Sequence, residues 1–165
     1  MARVKPPFAT TKKGIAVNLG PDERGLLRTL LGEVRELLTT APIGDPKLAR
    51  LFPPAYFDND EAETEYQRLM RDELLSSRLA SLSLTSSLLE REPSGDKVVL
   101  SADELDALMR SINSLRLVLG TLLDVDEDEF EAHLDENDPG YGQYQLYSYL
   151  GWLLDWIVTV QTEFN

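Results

Sequence analysis

The chain of 165 residues contains no cysteine and a single histidine, His133. The absence of cysteine excludes disulfides, thiolate nucleophiles, cysteine-based zinc sites and thiol-based redox sensing. A zinc site needs three or four ligands, usually led by His or Cys, and one histidine among carboxylates does not supply them. We therefore interpret His133 as a surface residue and predict no metal.

Long apolar runs and catalytic signatures are also missing. No uninterrupted apolar run approaches the roughly 18 residues of a transmembrane helix, and residues 1–14 lack the apolar region of a secretory signal. We expect a cytoplasmic protein with no membrane partner. The sequence has no phosphate loop, dinucleotide fingerprint, nucleophile elbow or HExxH motif, so we predict no enzymatic activity and no cofactor.

Positive charge is scarce after the first third of the chain. Residues 1–50 carry nine Lys/Arg against five Asp/Glu, whereas residues 51–165 carry seven against twenty-four. The acidic body is suited to attract a basic protein surface. The basic end, with Lys12, Lys13 and Arg24, supports an alternative in which the protein binds DNA directly, in a strongly salt-dependent manner.

Length and composition predict one folded domain over residues 1–165, since 42% of the residues are hydrophobic. An acidic segment at 124–138 contains nine carboxylates and no Lys or Arg. Its Asp124, Asp126 and Asp128 resemble an EF-hand loop, but Glu129 and Asp135 stand where glycine and a bidentate glutamate are needed. We interpret the segment as a solvated loop.

The clearest structural signal lies at residues 97–122. Ser101 and Glu104 form an S-x-x-E capping box, which predicts a helix start. Six apolar residues then recur at alternating spacings of three and four and place one apolar stripe on a helix. They are Leu105, Leu108, Ile112, Leu115, Leu119 and Leu122.

Similar periodicity predicts three further long helices and a small sheet. The helices cover about residues 21–38, 60–91 and 143–164, and a short helix near residue 45 is halted by Pro53-Pro54. Strands are predicted at 3–9 and 14–19, connected by Thr10–Lys13, and at 97–100. The expected fold is mainly α, a bundle of about four main helices with a small antiparallel sheet from the N-terminal strands and residues 97–100.

Two segments echo each other at an offset of 81 residues. AVNLGPDERGLL aligns with KVVLSADELDAL, with Leu19/Leu100 and Leu27/Leu108 among the identities. An internal duplication would place the two strands side by side, but any unit of strand, cap and helix gives a similar pattern. Both interpretations remain open.

The last predicted helix is rich in aromatic residues. Tyr144, Tyr147, Trp152 and Trp156 suit either a partner-anchoring surface or the core of that helix. Its apolar face is wide enough to need burial on two sides, so we expect it to be the central helix of the bundle or, alternatively, part of a homodimer interface.

A second stripe, which includes Met109, lies beside the leucines of the capped helix. Asn113, Arg116 and Gly120 lie on it, and Gly120 would permit close helix contact. Arg116 would either pair with a buried carboxylate or a helix end, or present its guanidinium to a partner.

Three blocks carry a family resemblance: DPKLARLFPPAY, LSADELDALMRSINSLRLVLGTLL and QLYSYLGWLLDWIVTV. Together they resemble an actinobacterial conserved-domain family, long of unknown function, that includes the oxidative-stress regulator AosR. The INSLRLVLG block is similar to the family's N-D-L-R-L-A-L-G core, with Ser114 in place of the acidic residue.

The resemblance implies a stress-response or transcription regulator that associates with a sigma factor, or a protease adaptor. Regulation in the family is redox-linked, but the lack of cysteine excludes a thiol sensor here. Our leading hypothesis is a non-enzymatic regulatory or adaptor protein that acts through protein contacts. The alternatives are the DNA-binding protein described above and a helical protein that binds a small molecule between its helices.

Overall fold

The computed structural model describes residues 5–91, 98–123, 136–137 and 140–164. In chain order the elements are β1 (Phe8–Thr11), β2 (Gly14–Val17), α1 (Pro21–Thr40), a 3₁₀ helix (Pro46–Leu51), α2 (Asp60–Glu90), β3 (Val98–Leu100), α3 (Ala102–Leu122) and α4 (Tyr141–Phe164). The expected mainly helical fold with a small antiparallel sheet is confirmed. His133 and the EF-hand-like positions lie outside the described residues.

The sheet has the order β1-β2-β3, with both pairs antiparallel. The predicted first strand was placed too early, because Thr10 and Thr11 belong to β1 and only Lys12 and Lys13 form the turn. Thr11 pairs with Gly14, whose φ of 146° is a backbone conformation that favours glycine. On the β3 side, a Cβ on Gly14 would lie 2.4 Å from the Leu100 carbonyl oxygen, so this position also requires glycine for close packing. The pairing therefore continues up to the turn.

The 81-residue echo has a structural counterpart. α1 begins at Pro21 and α3 at Ala102, which are 81 positions apart, and the same offset separates Asp60 of α2 from Tyr141 of α4. β2 and β3 pair side by side, and Val17 faces Val98, its own equivalent. The two units β2–α1–α2 and β3–α3–α4 thus share an element order and an offset of 81 residues, but their packing differs, since α2 packs on α3.

α3 is the central helix, not α4 as expected, because α3 packs against α1, α2, α4 and the 3₁₀ helix. Small residues at Ala107, Ser111 and Ser114 allow burial beyond its leucine stripe. α4 obtains its two-sided burial differently, since it packs on α3 and on β1. The core side chains of α4 are Tyr144, Tyr147, Leu150, Leu153, Ile157 and Val160.

Local interactions set where the helices begin. The Ser101 hydroxyl accepts a hydrogen bond from the Glu104 amide at 3.1 Å, and Glu104 accepts one from the Ser101 amide at 3.0 Å. The predicted capping box is therefore confirmed. Asn59 caps α2 in the same way by accepting from the Ala62 amide at 3.0 Å.

Candidate functional site

Arg116 lies between α3 and α4. Its guanidinium carbon is 4.1 Å from the centroid of the Tyr147 ring, a cation–π contact. A Cβ on Gly151 would be only 3.3 Å from the Arg116 Nε, so this glycine makes room for the guanidinium. The Nε is buried without a hydrogen-bond partner in the described structure. The cation is thus held by the aromatic face and the packing of α4.

Gly120 makes room on the other side of the same tyrosine. A Cβ at this position would lie 3.1 Å from the Tyr147 Cε2 and 2.7 Å from the Arg50 Nη1. The 3₁₀ helix supplies Arg50, so three elements meet here. Arg116, Gly120 and Tyr147, with Arg50, form one packed group that joins α3 and α4.

The other aromatic candidates are placed separately. Tyr144 is buried, and Trp156 is partly buried against the core, whereas Trp152 is 43% exposed. Trp152 stacks in a tilted arrangement on Tyr149, with ring centroids 6.0 Å apart. The Tyr149 hydroxyl donates to Glu23; burial, reinforced by this carboxylate, raises the pKa of Tyr149 above its ordinary value. The seven residues singled out from the sequence therefore do not form one surface.

Asn113 is exposed and lines a cleft between α2 and α3. This α2–α3 cleft has a volume of about 200 Å³ and is bordered by Arg78, Arg110 and three serines. Arg78 crosses the helix interface and donates to the Ser114 hydroxyl at 2.9 Å. Asn113 therefore lies towards α2, whereas Arg116, three residues later, contacts α4.

One apolar opening was not predicted from the sequence. It is a groove of about 320 Å³ between α1 and α4 with α3 as its floor, and we call it the leucine groove. Its apolar lining consists of Leu30, Val34, Leu37, Leu115, Val118, Leu119, Leu122 and Leu146. Leu30 and Leu37 flank the buried stripe of α1, and Leu122 is 56% exposed.

The polar residues of the leucine groove are Glu33 and Gln143, and no described Lys or Arg lines it. The acidic run at 124–138 connects α3, which ends at Leu122, to α4, which begins at Tyr141. The groove thus offers apolar contacts and a carboxylate, and the sequence between α3 and α4 carries further negative charge.

Within the described ranges, no three His, Asp or Glu side chains are placed to hold a metal ion. Nor is any helix there both long and apolar enough to cross a bilayer. Lys12 and Lys13 are exposed at the β1–β2 turn, whereas Arg24 is partly buried and its Nε has no hydrogen-bond partner among the described atoms.

The family model described as "Domain of unknown function (DUF2017)" matches residues 5–161. The chain belongs to this family. It is also 26% identical to proteins named "Oxidative stress regulator AosR" from Mycobacterium bovis and from the CDC 1551 and H37Rv strains of Mycobacterium tuberculosis. Each match covers 87% of this chain and 80% of the relative. No solved structure matches the chain.

The family match covers all the elements described above except the last three residues of α4, and it includes the Arg116–Tyr147 contact and the whole lining of the leucine groove. It therefore covers the packed group and the groove together. The expected resemblance to an uncharacterised family that includes AosR is confirmed.

Proposed function

We propose that this protein is a non-enzymatic regulator that binds a protein partner through the leucine groove. The occupant is an amphipathic helix with an apolar stripe and flanking Lys or Arg residues. The observation that carries the proposal is an open groove lined by eight apolar side chains from three helices. Grooves of this kind receive helices whose anchors recur at i, i+3, i+4 and i+7.

A comparison of α1 with α3 at the 81-residue offset supports a helix as the occupant. At the 81-residue offset, Leu30 and Glu33 of α1 are equivalent to Ser111 and Ser114 of α3. Both serines are buried under α2: the Ser111 hydroxyl lies 2.8 Å from that of Thr85, which belongs to α2. The equivalent positions of α1 line the groove instead. α4, the equivalent of α2 at this offset, borders the groove without filling it, and we propose that a docked helix covers these positions of α1.

Charge supports a basic partner. Glu33 is the charged residue among those described in the groove lining, and the whole chain carries a net charge of −13. A basic partner would be steered towards this surface, and its binding would weaken as salt screens the attraction. A neutral or acidic helix would gain only the apolar contacts.

The regulatory part of the proposal depends on the relatives. The mycobacterial proteins to which the chain is similar are named as regulators of oxidative stress. Because this chain has no cysteine, it cannot use a thiol switch. We propose instead that occupancy of the groove, by a sigma factor or another transcription protein, is what transmits the regulation.

Photo-crosslinking from inside the groove tests this proposal. A photoreactive amino acid replaces Leu122, and a matched control replaces Leu69 of α2; these leucines are 56% and 59% exposed. We expect the Leu122 probe, and not the Leu69 probe, to crosslink one protein reproducibly in cells. Mass spectrometry of the adduct should locate the crosslink in a basic amphipathic helix.

Three results would count against the proposal. Equal adducts from both probes would indicate non-specific contact. A Leu122 adduct to a second copy of this chain would assign the groove to a homodimer interface. An adduct to an acidic or extended segment would contradict the stated chemistry of the partner.

A further inference from the structure

The α2–α3 cleft holds an arginine that none of the described carboxylates balances. The Nε and Nη2 of Arg78 donate to the Leu51 carbonyl at 3.2 and 3.0 Å, and its Nη1 donates to Ser114 at 2.9 Å. The side chain is partly buried, and burial lowers the pKa of Arg78 below its ordinary value. Among the described ion pairs none involves Arg78. Its charge is therefore fixed in place, and no ion pair within the described ranges neutralises it.

A second arginine and several neutral donors surround the same opening. Arg110 pairs with Asp106 through its Nε at 3.0 Å, and its terminal nitrogens make no hydrogen bond in the described structure. Ser77, Ser81 and Asn113 complete the polar lining. No described Asp or Glu lines the cleft, although the chain as a whole has 29 of them.

We propose that the α2–α3 cleft binds a small oxyanion, a phosphate or carboxylate group carried by a metabolite. Guanidinium groups bind both anions with directed, charge-assisted hydrogen bonds, and serine and asparagine add neutral donors. The volume of about 200 Å³ accommodates the anion and a small organic group. An anion there neutralises Arg78, whose partners in the described part of the chain are a carbonyl and a hydroxyl.

This site is independent of the leucine groove. The cleft uses Arg110, Asn113 and Ser114 of α3, whereas the groove uses Leu115, Val118, Leu119 and Leu122. The two openings therefore lie on different faces of the central helix. Failure of one proposal leaves the other standing, because the anion experiment requires no protein partner.

Titration of the full chain with inorganic phosphate, and separately with acetate, tests the site. Calorimetry and thermal unfolding at constant ionic strength should both show saturable binding of at least one anion. Binding of phosphate alone would indicate a phosphorylated ligand, and binding of acetate alone would indicate a carboxylate ligand. Phosphate also stabilises proteins non-specifically, so the comparison with variants decides the result.

The informative variants are Arg78→Gln and Arg68→Gln. Arg68 lies on the same helix, is exposed and pairs with Glu65, so its loss removes an equal charge away from the cleft. We expect Arg78→Gln to weaken anion binding about tenfold or more and Arg68→Gln to change it less than twofold, since one buried charged hydrogen bond accounts for such a factor. Equal binding by the wild type and Arg78→Gln would overturn the proposal.

Ser114→Asp provides a second route if Arg78→Gln fails to fold. A carboxylate placed where the serine hydroxyl now contacts Arg78 at 2.9 Å would neutralise the cation internally. The folded variant should bind neither phosphate nor acetate, since its own carboxylate occupies the position of the anion. Undiminished anion binding by Ser114→Asp would contradict the site.

Discussion

Replacement of Gly120 by alanine measures how closely α3 and α4 are packed. An added Cβ would lie 3.1 Å from the Tyr147 Cε2 and 2.7 Å from the Arg50 Nη1. Arg50 is exposed and can move its terminal nitrogen at little cost. The Tyr147 ring cannot, because it is buried and its face is held against Arg116.

Two opposing energies determine the outcome. Alanine favours a helix over glycine by at most about 1 kcal/mol, while overpacking a well-packed contact costs about 1–3 kcal/mol. We therefore expect Gly120→Ala to lower the free energy of unfolding by up to about 2 kcal/mol. For a chain of this size each kcal/mol corresponds to about 2–4 °C in Tm.

Gly32→Ala is the matched control. Gly32 lies within α1, and a Cβ there would meet no atom within 4 Å, so only the helix propensity changes. It should gain about 1 kcal/mol. Urea unfolding monitored by far-UV circular dichroism compares the two variants. If Gly120→Ala were stabilised as much as Gly32→Ala, the account of Gly120 as a site of close approach would be refuted.

Three further expectations concern caps and buried polar groups. Ser101→Ala should cost about 1 kcal/mol in urea unfolding, since it removes the capping bond, and an unchanged midpoint would contradict this. The hydrogen bond from Arg91, aided by the capping contacts, lowers the pKa of Glu104 below its ordinary value of 4.5. The ionised Glu104 carboxylate therefore stabilises the fold fully above pH 4.5, and this stabilisation is lost as the pH falls through the lowered pKa. The Tm advantage of the wild type over Glu104→Gln should shrink on acidification, and a constant difference would argue against the ion pair. Thr85→Val alone should lower the free energy of unfolding by about 1–3 kcal/mol, because it leaves the buried Ser111 hydroxyl unpaired. The double variant with Ser111→Ala should recover part of that loss. A double variant no more stable than Thr85→Val would contradict the pairing.

The parts of the fold that depend on short-range chemistry were predictable from the sequence. The capping box needs only two residues three positions apart, and Ser101 and Glu104 form it as expected. The first strand was misplaced because its limits depend on pairing. Pro6 and Pro7 have no amide hydrogen to donate to a ladder, whereas Gly14 lets the pairing reach Thr11.

The candidate site was predictable only in its parts. Arg116, Gly120 and Tyr147 stood out in the sequence, but their contact depends on how α3 packs on α4. Gly120 and Gly151 make room for that contact, and their role is visible only in the folded structure. Leu30 and Leu37 are ordinary helix residues in the sequence. No pattern of apolar residues indicates that a neighbouring helix is missing, so the leucine groove was not anticipated.

Binding of the purified, crosslink-identified helix to groove and control variants tests the central claim most directly. Leu37→Glu places a second carboxylate in the groove beside Glu33, whereas Leu69→Glu makes the same change on an exposed part of α2. With both variants folded by circular dichroism, we predict that Leu37→Glu weakens the affinity about tenfold or more, the loss typical of a central interface residue. Leu69→Glu should bind like the wild type. Wild-type affinity for Leu37→Glu, or an equal loss for both variants, would contradict a partner site in the leucine groove.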